Sequence, residues 1–264
     1  MRAVYLTLKE IRLRLRKDRR NKGVMRYSIG EISKITGISK DFDGDRAAKV
    51  IKDVCENYKI QSLMTFGGEP LLYPEDVCKI HGAAKEMGIP KRELITNGFF
   101  SKDEKRIREV VHMLSKSGLN DIMLSVDAFH QETIPLQPVK YFAECVKSEG
   151  IPISVHPAWL VSENDDNPYN KRTRELLQGF IEDGIVISSG NVIFPSGNAR
   201  KYLSEYFIDG IDYENPYEDD PRDVRSISFC PNGDVLNGNV NRNSIMDIIN
   251  SNFTVKEVND YGTF

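Results

Sequence analysis

"IQSLMTFGGEPLL", residues 60–72, is an apolar run that stops on two glycines, a carboxylate and a proline. Residues 60–66 predict a buried strand, and Gly67, Gly68, Glu69 and Pro70 predict a tight turn at its carboxyl end. Pro70 sets the direction in which the chain leaves that turn. The same unit recurs on either side. Apolar residues at helical spacing predict helices over 45–58, 74–89, 101–119 (capped by Ser101), 137–151 and 170–185. Ser28 and Glu31 form a capping box that predicts one more helix ahead of these. Further strands are predicted over 93–96, 121–126 and 152–159, and within 186–194. Strands alternating with helices of this length predict a parallel sheet with helical crossovers. The strands are mostly continuous apolar runs, which predicts cover on both faces. An open doubly wound sheet and a barrel both satisfy this pattern.

Bulk composition narrows the function classes. The chain has 264 residues, 40% of them apolar and 28% charged, enough to bury a core without metal or disulfide staples. Its net charge is −3, so the whole chain is not expected to bind nucleic acid. No apolar run reaches the length of a membrane span, and the Arg-rich start is not a secretory signal. Cys55, Cys78, Cys145 and Cys230 lie far apart, without C-x-x-C spacing, and read as reduced thiols of a cytoplasmic protein.

In α/β folds ligand chemistry gathers at the carboxyl ends of the strands. Here those ends carry Gly67-Gly68-Glu69-Pro70, then Thr96-Asn97-Gly98, then Ser125 and Asp127 with His130 behind, then His156, and then "FPSGNAR" at 194–200. Each has a plainer reading. The glycine pairs are turns, Asp127 is a helix N-cap, and a lone histidine is a packed residue. Parallel strands would place all of them on one rim, and that coincidence favours a site.

"FGGEPLL", "LITNG", "LSVDAFH" and "FPSGNAR", in this order over residues 60–200, resemble the radical SAM (S-adenosylmethionine) superfamily. The resemblance implies a partial (β/α)6 TIM-like barrel with parallel strands, followed here by a small C-terminal α+β extension. It implies that Gly67, Gly68, Glu69 and Pro70 lie along the methionyl part of SAM, with Glu69 accepting its ammonium. Ser125 and Asp127 hold the place of ribose contacts, and Asn97 lines the same cavity. "SGNAR" resembles the segment near adenine. The resemblance also implies reductive cleavage of SAM to a 5′-deoxyadenosyl radical, a reductase partner for an active form, and an unassigned substrate.

The family's [4Fe-4S] cluster is held by C-x-x-x-C-x-x-C after the first strand, and soft thiolates are its usual ligands. Where that loop belongs, this chain reads "KEIRLRLRKDRRNKGV", with eight basic and two acidic residues between Lys9 and Lys22. The cofactor expected for the family thus meets a chain without its ligand motif, and no metal ligands are assigned. Three readings are open: a degenerate member that binds without radical chemistry, a wrongly placed start whose true loop lies upstream or in another reading frame with the family-like text resuming near "NKGVMRYSIGEI", or a basic arm for RNA, DNA or an anionic surface. The Ile/Leu–Arg alternation also fits an edge strand. The expected organisation is a basic segment over 1–24, a core barrel over 25–200 and an extension over 201–264, where Cys230 alone is too little for an auxiliary cluster. Two rivals to a radical enzyme are a non-catalytic binding protein on the same barrel, and an unrelated (β/α) barrel using His130, His156 and Asp127 as acid–base groups or metal ligands.

Overall fold

The Ile/Leu–Arg alternation forms a strand, β1 (Glu10–Arg16). The computed structural model describes residues 10–16, 43–66, 68–193, 195, 197–208, 226–230 and 232–251. After β1 come α1 (Gly44–Asn57), β2 (Lys59–Phe66), α2 (Pro74–Glu86), β3 (Lys91–Thr96), α3 (Glu104–Ser117) and β4 (Asp121–Leu124). Then follow α4 (Ala128–Gln131), α5 (Leu136–Ser148), β5 (Ile153–Val155), β6 (Ala158–Leu160), α6 (Pro168–Glu182), β7 (Val186–Ile187), β8 (Asn191–Ile193) and α7 (Gly197–Tyr202). The C-terminal part supplies β9 (Ser226–Phe229), β10 (Asp234–Val235) and β11 (Gly238–Asn239), then helical residues 245–251. The capping box at Ser28, the sequence from 209 to 225 and Gly67 lie outside the described residues.

The helices form where apolar residues recur on one face. α1 buries Ala47, Val50, Ile51 and Val54, and α3 buries Ile107, Val110, Val111 and Leu114. The cap of α3 is Asp103, whose carboxylate accepts from Lys105 N, and not Ser101, which accepts from Asp103 N instead. Two hydroxyl-and-carboxylate turns in series start the helix two residues later than the apolar spacing suggests.

The main sheet runs β11-β10-β9-β1-β2-β3-β4-β5-β7. β2, β3, β4, β5 and β7 are mutually parallel, with helical crossovers between them, the architecture of a partial (β/α)6 TIM-like barrel. β1 departs from that pattern. It pairs antiparallel with β2, Glu10 facing Phe66 and Arg16 facing Lys59, and antiparallel with β9 on its other side. The expectation of an edge strand is therefore corrected: β1 is internal, satisfied on both sides. Because β1 is reversed, the chain leaves it beside the start of β2, opposite the turn that carries Glu69.

Two expected strands are each broken in two. Residues 152–159 split at His156-Pro157 into β5 and β6, and residues 186–194 split at 188–190 into β7 and β8. β6 and β8 then pair with each other in a separate two-stranded sheet. The two breaks meet: Asn191 N donates to Pro157 O at 2.8 Å, and Gly190 at φ 72° sits where a Cβ would lie 2.1 Å from that same carbonyl oxygen. A side chain is excluded there on both counts.

One core cluster joins Leu94, Ile122, Leu124 and Val155 of the strands to α2, α3, α5 and α6. A second joins α1 and β2 to Ile227, Phe229 and Val235 of the C-terminal strands and to Ile245, Ile248 and Ile249. The alternate strand positions are mixed: Glu93 and Asp121 are charged, whereas Met64, Ile95 and Met123 are apolar and half-buried. Register aligns Met64, Glu93 and Asp121 on neighbouring strands, and Lys91 Nζ lies 2.5 Å from Glu93 and 3.4 Å from Asp121. The positions toward the helices are fully buried, and most of those on the other face are partly so. Among the described residues no helix is long and apolar enough to cross a membrane.

Candidate functional site

The turn after β2 sets Glu69 across the end of β3. Gly68 has φ 61°, the left-handed conformation that glycine adopts without strain. Glu69 then caps a short 3-10 turn, Pro70–Leu72, that Pro70 begins. Its Oε1 accepts from Leu71 N at 2.9 Å and from the Thr96 hydroxyl at 2.6 Å. Its Oε2 accepts from Asn97 N at 2.8 Å. The residue is 4% exposed. Burial pushes the carboxyl up to about 7, against the hydrogen bonds from Thr96, Asn97 and Leu71 and the nearby charge of His130. A carboxylate offers about four acceptor positions, so three protein donors leave room for one more on Oε2.

Thr96 carries a second bond, accepting from Gly98 N at 2.9 Å, and its carbonyl accepts from Ser125 N at 2.8 Å. Asn97 Oδ1 accepts from Phe99 N, closing an Asx turn. Gly98 has φ 70°, and a Cβ there would meet Leu124 Cδ1 at 2.8 Å. The ends of β2, β3 and β4 are in this way laced together, bringing Gly68, Glu69, Pro70, Asn97 and Ser125 to one rim. Thr96 stands at the strand end that the sequence marks, but its role as a donor to Glu69 is not readable from spacing. Its signal was its place as the last residue of β3, one before the Asn-Gly turn.

Asp127 is wholly buried and caps α4, as its plainer reading anticipated. Oδ1 accepts from Phe129 N and His130 N, at 3.0 and 2.9 Å. Oδ2 pairs with His130 Nδ1 at 2.7 Å and accepts from Ala158 N at 3.1 Å. Four donors occupy its four positions, so a ligand reaching Asp127 directly would have to displace one of them. The His130 side chain is 38% exposed. Burial works against its charge, yet the hydrogen bond to Asp127 and the charges of Asp127 and Glu69 prevail and raise its pKa. Beside it Phe129 stacks on Tyr169 with centroids 4.8 Å apart.

His156 follows β5 and shares Nδ1 with Ser188 Oγ at 2.8 Å. Burial lowers its pKa, although the Asn191 hydrogen bond and the charge of Asp127 oppose the shift. In the "SGNAR" segment, Ser196 and the side chain of Asn198 lie outside the described residues.

The cysteines are placed elsewhere. Cys55, Cys78 and Cys145 belong to α1, α2 and α5, which pack against the sheet from the helical side. Burial pushes the thiols of Cys55 and Cys78 up to about 11 and raises that of Cys145. Cys230 follows β9. Among the described residues no three His, Cys, Asp or Glu side chains are grouped to hold a metal ion. An open depression of about 630 Å³, lined by Tyr58, Lys59, Met87 and Pro90, lies at the opposite end of the sheet from Glu69.

A family model described as the radical SAM superfamily matches residues 6–167. No curated protein matches the chain. The matched span covers β1 to the end of β6 and includes the Glu69 turn, the Asn97-Gly98 turn and the Asp127–His130 cap. With the parallel half-barrel and the order of its rim turns, this places the chain in the radical SAM superfamily.

Proposed function

We propose that this chain binds S-adenosylmethionine at the rim formed by the ends of β2, β3 and β4, and that by itself it holds the ligand without cleaving it. Glu69 carries the reading. It is a buried carboxylate whose proton affinity is raised, with three protein donors and one acceptor position left. Such a group is stabilised by an incoming cation more than by water, because charge is worth more where water is excluded. The α-ammonium of SAM is a cation of suitable size. Ser125 and Asn97 flank the position, and Asp127 acts by holding His130 and the start of α4 in place.

Members of the superfamily generally use SAM with a [4Fe-4S] cluster, which supplies the electron for cleavage. The thiols of this chain do not fit that group. A cluster needs converging thiolates, whereas three of the four thiols stand on separate helices and are held protonated by burial. The strand that should lead into the ligand loop also runs the wrong way, delivering the chain to the far end of the sheet. Family membership removes the alternative of an unrelated barrel and leaves binding as the function these residues support.

The test is calorimetric titration of SAM into the purified chain, with Glu69→Gln beside it, followed by anaerobic treatment with iron, sulfide and reductant. Micromolar binding, weakened at least about tenfold by the substitution and without 5′-deoxyadenosine, supports the reading. Release of 5′-deoxyadenosine would overturn it. We further propose that the cluster ligands were lost through a disrupted reading frame, since the rim is retained. Translating the DNA before codon 25 in all forward frames is expected to show C-x-x-x-C-x-x-C joining near "NKGVMRYSIGEI". Its absence from every frame would sink that part.

A further inference from the structure

We infer that the rim takes the whole zwitterionic end of an α-amino acid, Glu69 holding the ammonium and His130 the carboxylate; this rests on the SAM-binding reading above. The chemistry of the ligand poses the problem. An α-amino acid carries its carboxylate one carbon from its ammonium. A site that offered only Glu69 would attract the ammonium and repel the carboxylate in the same step. It would then favour simple amines over amino acids. A cation near Glu69 changes that balance.

His130 and Glu69 are linked through the rim: Thr96 donates to Glu69 and accepts through its carbonyl from Ser125 N, two residues before the Asp127 that holds His130, and the imidazole charge favours the ionised Glu69. The orientation of His130 is fixed before any ligand arrives. Nδ1 lies 2.7 Å from Asp127 Oδ2, an oxygen already accepting from Ala158 N, so the ring must donate there. Asp127 cannot drift, because its other oxygen accepts from two backbone N–H groups of α4. The Nε2 edge has no protein partner among the described residues, and the side chain is 38% exposed. With Nδ1–H committed to a buried carboxylate, the protonated ring presents Nε2–H outward as a charged donor. A preorganised donor of this kind binds an anion with little ordering cost. The buried carboxylate, the imidazole fixed on it and a second carboxylate within electrostatic reach make a paired cation and acceptor, which is what a zwitterion requires.

Iron chelation is the other way to hold an amino-acid carboxylate at such a rim, and the thiols of this chain do not converge there. His130 therefore acts as a binding residue, and Asp127 as the residue that positions it.

The test compares SAM with decarboxylated SAM, which keeps the sulfonium and the amine but lacks the carboxylate. Both are titrated by calorimetry into the wild-type chain and into His130→Gln at pH 7. The wild type is expected to bind SAM at least about tenfold more tightly than decarboxylated SAM, the scale of one charge-assisted hydrogen bond. His130→Gln should lose most of that preference while binding decarboxylated SAM as before. Equal affinity of the wild type for both ligands overturns the inference and leaves SAM binding standing. So does an equal loss for both ligands in the variant, which would make His130 a support of α4 only. If the wild type binds neither ligand, the SAM reading fails and this inference with it. Should His130→Gln not fold, the wild-type comparison decides alone.

Discussion

The Thr96 hydroxyl donates to Glu69 Oε1 across 2.6 Å and ties the last residue of β3 to the turn after β2. The hydroxyl oxygen also accepts from Gly98 N, so one side chain orders two turns of the rim. Thr96→Val keeps the shape and removes both bonds. It should cost about 2 kcal/mol, the range for leaving buried partners unsatisfied, and should weaken SAM binding. Thr96→Ser should restore both. Chemical denaturation and ligand titration of the two variants check this; a Val variant as stable as wild type would deny Thr96 its role.

Stability should respond to pH through two buried groups with opposite signs. Glu69 is raised from 4.5 to about 7. The folded state therefore binds its proton more tightly, and this stabilisation, complete below 4.5, is lost as pH rises through 7. His81, wholly buried and bonded to Thr65 at 3.0 Å, is lowered by burial, and secondarily by the charge of Arg92, from 6.5 to about 3. Its contribution is complete above 6.5 and is lost as pH falls toward 3. Each slope is about 1.4 kcal/mol per pH unit at most, so the two largely cancel between 4.5 and 6.5. Glu69→Gln should unmask the His81 slope, with stability rising steadily over that interval. Urea unfolding at pH 5, 6 and 7 reads it directly, and parallel curves for wild type and variant would refute it.

Ligand binding should release a proton. At pH 6.5 Glu69 is largely protonated, and an ammonium needs it ionised. The calorimetric enthalpy of SAM binding should therefore change with the ionisation heat of the buffer, and affinity should fall as pH drops below 7. A buffer-independent enthalpy would show that Glu69 does not meet the ligand's charge.

Asp127→Asn should lower the pKa of His130 and destabilise the fold by about 1–3 kcal/mol, since it turns an amide toward one of the former donors of a buried carboxylate, while the ion pair itself is screened at the half-exposed His130. The histidine resonance followed by NMR over pH 5–8 separates this from a general loss of structure. An unmoved titration would mean that the 2.7 Å contact does not govern the ring.

Gly98→Ala should cost about 1–3 kcal/mol, because its φ of 70° and the Leu124 methyl at 2.8 Å both oppose a side chain. Gly82, where a Cβ would meet nothing within 4 Å, is the control: Gly82→Ala in α2 should be neutral or stabilising. Thermal melts of the pair settle it.

The parallel core was legible because it is written locally. Each helix from α1 to α6 carries an apolar face or a cap, and each strand from β2 to β4 is a run that ends in glycine or a polar turn. What escaped was set by partners distant in sequence. The run from Ile11 to Arg16 shows a strand but not its direction, which depends on Phe66 and Phe229. The breaks at Pro157 and Gly190 become intelligible only together, since each chain segment excludes the other from a continuous strand. At the rim, Glu69 was recognisable from its turn, but its donors Thr96 and Asn97 belong to the next unit. Asp127 looked equally suited to a ligand or a cap, and only the four donors around it decide how it is occupied.

The position of β1 also has a kinetic consequence. Ile11 pairs on one side with Thr65 and on the other with Phe229, which lies toward the opposite end of the sequence. Contacts of such separation form slowly, because the loop they close must be ordered first. During synthesis the half-barrel from β2 to β7 can assemble while β1 still presents one open edge, and that edge is covered only when residues 226–229 emerge. Until then the nascent chain exposes an unpaired strand of the kind that recruits other chains. The C-terminal strands are thus the closing step of the first strand's sheet, and a chain interrupted before them would fold into a half-barrel prone to self-association.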